Sequence, residues 1–525
     1  MKLPVIDFGF IYLGSRFGET YQPLTIPVNS DDSKVVSPTS GLLLNMLNLD
    51  DSLSTWAELK PDGIAFADEN RVVSFLEVNQ ISRKIANVLT QSGILRGDLV
   101  CMVLPAYHGW LVTMALQLMG VTTMSKNSIT PFAPEAMPDW FISIKPHPEI
   151  PVARSILIDE SYVEKVRGVE AIAMAPGYSD STDIAGLFST SGTSGTEKYI
   201  ALDAGAMSEM VLEPWAPNFP KVEHLLSLFP FGALWPFMDA VKAINVGATF
   251  FSCGASDKRL PQTIDKYPID AILASPAQIV SLLDIAQENN IELTRIRTVM
   301  MAGSAPSQQL LDRIKERLNC RVFNIYGSTE AGNIAMMDVT GQIPEGSVIN
   351  PTVDLQIVDE SDVEVARNTL GRMRYRKSGM STSYYKNSAA TAEFFKDGFF
   401  YPGDLALING EGLLVLGGRS SEVINLGGVK INPEKVDEIA MAQLGVLDCA
   451  AFAITGTSGV ESLAIALVTD ADFDQNLFNR AMAQKSPHPP SISISVATIP
   501  RNDNGKVSRQ SLRTEYEKAN PASRS

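Results

Sequence analysis

The stretch Leu187-Phe-Ser-Thr-Ser-Gly-Thr-Ser-Gly-Thr-Glu-Lys198 has the residue types needed to hold anionic oxygens. Gly192 and Gly195 let the backbone turn tightly and come close to a ligand. The amides and hydroxyls of Ser189, Thr190, Ser191, Thr193, Ser194 and Thr196 can form a cradle of donors, closed by the charge of Lys198. A flexible Ser/Thr/Gly surface loop has the same composition. The stretch is not a Walker-type P-loop, because its second glycine is not followed by Lys-Ser or Lys-Thr. Whatever it binds, the other half of the site must come from elsewhere in the chain.

Four later stretches supply suitable groups: Tyr326-Gly-Ser-Thr-Glu330, Tyr401-Pro-Gly-Asp-Leu405, Gly418-Arg419 with Gly427-Gly-Val-Lys-Ile-Asn-Pro-Glu434, and Pro500-Arg-Asn-Asp-Asn-Gly-Lys-Val-Ser-Arg509. In this order and spacing the five stretches resemble the adenylate-forming superfamily of acyl-CoA synthetases, peptide-synthetase adenylation domains and firefly-type luciferases. The resemblance runs from about residue 40 to residue 515. It implies an AMP-forming reaction in which a carboxylic acid and ATP, with Mg²⁺, give an acyl-adenylate and pyrophosphate. The acyl group then passes to coenzyme A, to a phosphopantetheine on a carrier protein, or to an amine. A nucleotide-binding homologue that kept the fold without catalysis is the alternative of another class.

The residue chemistry fits such a reaction. Activating a carboxylate with ATP brings two anions together, so positive charge and amide donors must offset their repulsion. The loop at Ser189 to Lys198 suits the β- and γ-phosphates. Glu330 is a hard oxygen ligand for Mg²⁺, which binds through one or two carboxylates plus phosphate oxygens. Thr329 can donate to the α-phosphate, and Tyr326 offers an aromatic face for adenine beside the backbone of Gly303, Ser304 and Ala305. Asn324 and Gly327 belong to the same nucleotide motif. Asp404 can accept from ribose hydroxyls, Arg419 can donate to the same sugar, and Lys506 can reach the reacting phosphorus or carboxylate. Singly, each has a plainer reading: Tyr326 as a core aromatic, Glu330 offsetting a helix dipole, Asp404 as a turn cap, Arg419 and Lys506 as solvated charges.

The resemblance also implies that the C-terminal domain turns between two poses, with a hinge at Ser421. The family usually has Asp or Lys there, and Thr rather than Pro402 before Gly-Asp. On rotation Lys506 would leave the site and Gly427-Gly428 would line the path of the thiol. The acyl pocket is expected around Leu228-Phe-Pro-Phe-Gly-Ala-Leu-Trp235, with Phe231 and Trp235 as its walls. This stretch has no acid, and a buried substrate ammonium without a counter-charge is costly. A fatty or aromatic acid is therefore expected over an α-amino acid.

These groups must be positioned by an α/β scaffold. Val78, Ile81, Ile85, Val88 and Leu89 mark one helix face, Leu99 to Leu104 a buried strand, and Trp110 to Met119 an apolar helix. Strands at 225–229, 247–251, 271–273 and 297–302 alternate with helices, which predicts a mostly parallel sheet. Val322 to Ile325 is a strand running into the loop Tyr326 to Gly332. Ligands in such sheets sit beyond the carboxyl ends of strands, so this loop and Gly303-Ser-Ala-Pro should border one crevice. Short strands at 354–358, 371–376 and 412–416 predict a small β subdomain, ended by a break at Gly417-Gly418-Arg419. Asn432 caps a helix with Pro433 at its first position, opening an α+β module. The expected division is a 1–40 N-terminal extension, a 41–419 AMP-binding domain and a mobile 420–525 C-terminal lid.

Composition narrows the partners. Lys plus Arg number 43 against 59 Asp plus Glu, a net charge of −16 that repels nucleic acid and anionic lipid. Cys101, Cys253, Cys320 and Cys449 are far apart with no CxxC pair, which predicts reduced thiols in a cytoplasmic setting, buried as small hydrophobes. The N-terminal apolar run is interrupted by Pro4 and Asp7 and reads as non-secretory. No stretch is apolar for long enough to span a membrane.

Overall fold

The structure is a computed structural model. It describes residues 49–520, apart from 69–70, 127–131, 175–176, 191–197, 214–220, 255–256, 421, 427–428, 456–460 and 502–506. The expected N-terminal extension thus lies outside the described residues.

Two large sheets carry the first part of the chain. The nine-stranded sheet runs, in spatial order, Val348–Ile349, Gly332–Asp338, Arg321–Ser328, Thr298–Ala302, Ala271–Ala274, His224–Ser227, Thr249–Ser252, Ile64–Asp68 and Val72–Ser74. Its interior pairs are parallel and its two ends antiparallel. The six-stranded sheet runs Ser155–Leu157, Trp140–Ser143, Leu99–Val103, Thr122–Ser125, Ile184–Thr190 and Lys198–Asp203, and only its last pair is antiparallel. One core joins the two sheets, taking Phe66, Leu225 and Phe250 from the first and Val100, Met102 and Ile142 from the second. The helix Ala106–Met119 runs through this core, and every residue from Tyr107 to Leu118 is buried. Such all-round burial is why its sequence is apolar on all faces. By contrast Phe75–Gln91 is amphipathic and starts at a Ser74–Glu77 capping box.

A second core covers the outer face of the nine-stranded sheet with the helices Pro276–Glu288 and Gln308–Arg317. The expected small β subdomain is an antiparallel sheet of six strands, among them Asp354–Val358, Gly371–Arg376, Asp404–Ile408 and Leu414–Arg419.

Two local expectations change. The strand Arg321–Ser328 does not stop at Ile325; it continues through Tyr326 and pairs with Gly332–Asp338 as a hairpin. Gly327 permits this, since a Cβ there would stand 2.3 Å from the Gly332 carbonyl oxygen. Likewise Gly417-Gly418-Arg419 is not a break but the end of the strand Leu414–Arg419. Gly418 sits at φ +88, and a Cβ there would meet the Asn432 amide at 2.4 Å.

Beyond residue 421, Pro433–Met441 is capped by the Asn432 side chain as expected. It packs with Val446–Thr455 and Glu461–Thr469 around cores made only of residues from 424 onward. Ile492–Ser495 adds a parallel third strand.

Candidate functional site

The antiparallel subdomain presents Asp404 and Arg419 directly opposite each other at the ends of two paired strands. Arg419 Nε lies 2.8 Å from Asp404 Oδ1 and its Nη1 donates to the Pro402 carbonyl at 2.8 Å. Tyr326, on the hairpin of the nine-stranded sheet, donates its hydroxyl to Asp404 Oδ2. Each carboxylate oxygen has two lone pairs, so Asp404 can still accept from a ligand hydroxyl while both neighbours hold it. Burial, then the Asp404 charge, pushes the Tyr326 hydroxyl well above its ordinary pKa, so it stays a donor. Burial works against the Arg419 cation, but Asp404, Tyr326 and Glu422 outweigh it and raise its pKa.

The turn of the same hairpin carries Thr329 and Glu330. Glu330 is 7% exposed and accepts a hydrogen bond from the Tyr384 hydroxyl at 2.8 Å. Among the described residues its Oε2 takes no hydrogen bond. There is no helix behind Glu330, so the helix-dipole reading of this residue does not apply. The Ser381 amide donates to the Glu330 carbonyl at 2.8 Å, and the Tyr385 amide to the Tyr199 carbonyl at 2.7 Å. The segment Ser381 to Tyr385 thereby ties Glu330 to the strand that begins at Lys198. Lys198 itself lies over the Phe394 ring at 3.9 Å and the Tyr384 ring at 5.3 Å. Burial, then Glu330, raises the Tyr384 pKa. Between the two groups, buried Tyr375 donates to Ser328 Oγ at 3.1 Å.

Thr190 and Lys198 face each other across an antiparallel pair. Ser191, Gly192, Thr193, Ser194 and Gly195 lie outside the described residues. Gly303, Ser304 and Ala305 are exposed after a strand whose Ala302 pairs with Ile325, which brings them beside Tyr326. Gly303 adopts φ +93, the left-handed region that favours glycine. The Asn324 Oδ1 is buried without a hydrogen-bond partner among the described residues. Gly327 is exposed.

Phe231 lines a cavity of about 460 Å³, shared with Leu104, Lys126, Phe229 and Cys253. Trp235 does not line it and instead stacks on Phe229 with centroids 6.1 Å apart. Ser421, Gly427, Gly428 and Lys506 lie outside the described residues. Arg501 pairs with Val507, and the Ser508 amide donates to the Pro500 carbonyl at 2.8 Å. Cys101, Cys253 and Cys449 are buried, Cys320 is half-buried, and none of the four is in a disulfide. Tyr375, Ser381 and Tyr384 went unnoticed in the sequence. The only signal was a tyrosine pair in a polar Ser/Gly stretch, with no periodicity to mark it.

Comparison with known proteins bears on this arrangement. A family model described as AMP-binding enzyme matches residues 143–385, a span that includes the Ser189–Lys198 loop, the Tyr326–Glu330 hairpin and Tyr384. Over that span the chain is similar to AMP-binding enzymes. It is 25% identical over 343 residues to a 4-chlorobenzoate–CoA ligase of Arthrobacter sp, a match covering 63% of this chain and 66% of the relative. Thus the match spans just under two thirds of that enzyme's length. It is 22% identical over 501 residues to a fatty acid–[acyl-carrier-protein] ligase of Streptomyces coeruleorubidus, covering 88% of this chain and 95% of the relative. An anthranilate CoA ligase solved with anthranoyl-AMP has a similar fold, with a TM-score of 0.80 at 18% identity over 91% of this chain and 98% of its own. Among the described residues no helix is long and apolar enough to cross a membrane.

Proposed function

We propose that the chain is an ATP-dependent, AMP-forming carboxylic acid ligase. In the first step an acid oxygen attacks the α-phosphorus of ATP, giving acyl-adenylate and releasing pyrophosphate. In the second, the thiolate of coenzyme A attacks the acyl carbon, forming the thioester and releasing AMP. The observation that carries the reading is the Tyr326–Asp404–Arg419 cluster, held by a hairpin whose turn also carries Glu330. One side of that hairpin offers acceptors and donors for a sugar, the other a carboxylate for a metal. In this reading Thr329 contacts the α-phosphate, and Lys506 meets the reacting oxygens from the C-terminal part. The loop from Thr190 to Lys198 holds the leaving pyrophosphate.

Glu330 fits Mg²⁺, since it is an anionic oxygen donor whose Oε2 takes no hydrogen bond among the described residues. The ion would offset phosphate charge there. Tyr384 holds the other oxygen and so fixes the carboxylate's orientation. We place the lid in 420–525 with its hinge at Ser421 and the thiol path at Gly427 and Gly428. Phe231 and Trp235 belong to the acyl side, and the protein works in the cytoplasm.

Purified protein is incubated with ATP, Mg²⁺ and a panel of fatty and aryl acids, and pyrophosphate release is measured with CoA or with a phosphopantetheinyl carrier protein as acceptor. Acid-dependent release followed by acyl-CoA is expected, and Lys506→Ala should lose most of the release while retaining ATP binding. Thioester found on the carrier protein and never on CoA would shift the acceptor, a reading favoured by the similarity to the acyl-carrier-protein ligase.

A further inference from the structure

The amino ends of the parallel strands hold a second group of ligating side chains. Glu223, His224 and Asp270 each offer one atom, and the three atoms all lie within 4.8 Å of one another. His224 opens the strand His224–Ser227, and Asp270 directly precedes Ala271–Ala274, its parallel neighbour. Gly303 and Thr329, on the nucleotide side, follow the opposite ends of strands in the same sheet.

Main-chain bonds fix this corner. The Glu223 amide donates to Asp270 Oδ2 at 3.0 Å, and the His224 amide to Oδ1 at 3.1 Å. The Asp270 amide donates back to the His224 carbonyl at 3.1 Å, and the Asp270 carbonyl accepts from the Arg297 amide at 2.8 Å. The Thr249 amide donates to the Glu223 carbonyl at 2.8 Å. The Asp270 carboxylate is thus oriented in advance, with a lone pair on Oδ2 still open.

The imidazole separates this corner from a patch of surface acids. His224 is half-buried, and among the described residues its ring nitrogens make no hydrogen bond. Its Nδ1 stands 3.8 Å from Asp270 Oδ2, too far for a hydrogen bond. Two ligands that share an ion at about 2.0–2.2 Å stand about 3–4 Å apart, so the gap has the width that an ion and its bonds require. Glu223 is exposed, and Lys221 Nζ lies 2.7 Å from its Oε1. That contact lowers the Glu223 pKa and keeps it an anion, with Lys60 adding a smaller effect of the same sign. An incoming cation must displace Lys221, whose side chain is 83% exposed.

We propose that Glu223, His224 and Asp270 form a site for a divalent transition-metal ion of the zinc type. One imidazole nitrogen and two carboxylate oxygens suit Zn²⁺, with water as a fourth ligand. Mg²⁺ takes oxygen ligands and has no use for the imidazole. The main chain of these residues joins the starts of four strands, at 224, 249, 271 and 298. The ion therefore acts as a clasp on the sheet, away from the nucleotide, whatever reaction the chain performs.

Calorimetric titration of the full chain with Zn²⁺, in excess Mg²⁺, tests the site, together with thermal unfolding with and without Zn²⁺. One ion should bind per chain and raise the unfolding midpoint, because it binds the folded state. Other histidines and cysteines also take Zn²⁺, so variants locate the ion. His224→Ala and Glu223→Gln should each weaken binding by about tenfold or more, since even the outer partners of a metal ligand typically matter by about that factor. Both should lose the rise in midpoint. Lys221→Ala removes the competing cation and should tighten binding several-fold, a gain that a merely damaged fold does not produce. Parent binding weaker than about 1 mM, or binding unchanged by His224→Ala, overturns the assignment and leaves the ligase reading untouched.

Discussion

Asp404 and Arg419 stand opposite each other across an antiparallel pair, with Arg419 Nε 2.8 Å from Asp404 Oδ1. Because Tyr326 also donates to Asp404, one carboxylate joins the nine-stranded sheet to the antiparallel subdomain. Its orientation is therefore fixed before any ligand arrives, which lowers the ordering cost of binding.

Asp404→Ala should weaken ATP binding by tenfold or more, a loss of about 1.4 kcal/mol or above. It should also lower stability by about 1–3 kcal/mol, because Tyr326 loses its acceptor and Arg419 its counter-charge. Titration calorimetry with ATP and thermal unfolding read the two effects separately. Unaltered ATP affinity in a folded variant would remove Asp404 from the nucleotide site.

Tyr384→Phe keeps the ring under Lys198 and removes only the hydroxyl that donates to Glu330 Oε1. The Mg²⁺ concentration needed for half-maximal pyrophosphate release should rise several-fold, since partners that orient a metal ligand typically matter by about 10–100-fold. Stability should fall by only about 1 kcal/mol. A Mg²⁺ titration that superimposes on the parent's would sink this role for Tyr384.

The legible parts of the chain were those set by local chemistry. Asn432-Pro433 announces a helix start because capping and a fixed φ act within one turn, and the strand 371–376 alternates buried Met373 and Tyr375 with Arg372, Arg374 and Arg376. Tyr326 to Ser328 reads as a loop in the sequence because glycine stands beside it, yet it is strand. In the folded chain Gly327 and Gly332 instead let two strands approach closely. Tyr384 could not be found at all, since its meaning lies in Glu330 and Lys198, both more than fifty residues distant in a pairing only the fold creates.

The C-terminal part should show a pH dependence of its own. Asp437 has a carboxyl pushed up to about 6 by burial, against the lowering effect of Arg509, whose Nη2 lies 2.7 Å away. Asp448 adds to the rise, and Glu422 shares Arg509 at 3.1 Å. An unfolded Asp titrates near about 3.9, so between these values the folded chain holds more protons than the unfolded one. Stability then falls as pH rises from about 4 to about 6. The side chain keeps 16% of its surface in solvent, so the contribution should be on the order of 1–2 kcal/mol. Comparing unfolding midpoints of parent and Asp437→Asn across this range isolates the group. The variant should lack the decline, and parallel curves for the two proteins would contradict the shift.

Lys377 and Glu213 make a largely buried pair at 3.0 Å, with side chains 5% and 20% exposed. Asn350 donates to the same carboxylate, and the Lys242 ammonium donates to the Glu213 carbonyl. Nearby, Ser378 donates to Glu209 at 3.0 Å, so the segment leading to Ser381 and Tyr384 is pinned to the end of the helix Ala204–Leu212. Removing one partner of such a pair leaves a charge in a poorly solvated place, which typically costs about 3–5 kcal/mol. Lys377→Met should fall near the lower end of that range, about 3 kcal/mol, because Asn350 still serves Glu213. Adding Glu213→Leu removes the stranded charge and should recover more than half of the loss, since apolar replacements of buried pairs are often near neutral. If charge burial governs, the double variant is therefore more stable than the single one. If the pair acts only as a weak surface contact, the single variant loses under about 1 kcal/mol and the second substitution makes matters worse. Chemical denaturation of the parent, the single variant and the double variant separates these outcomes.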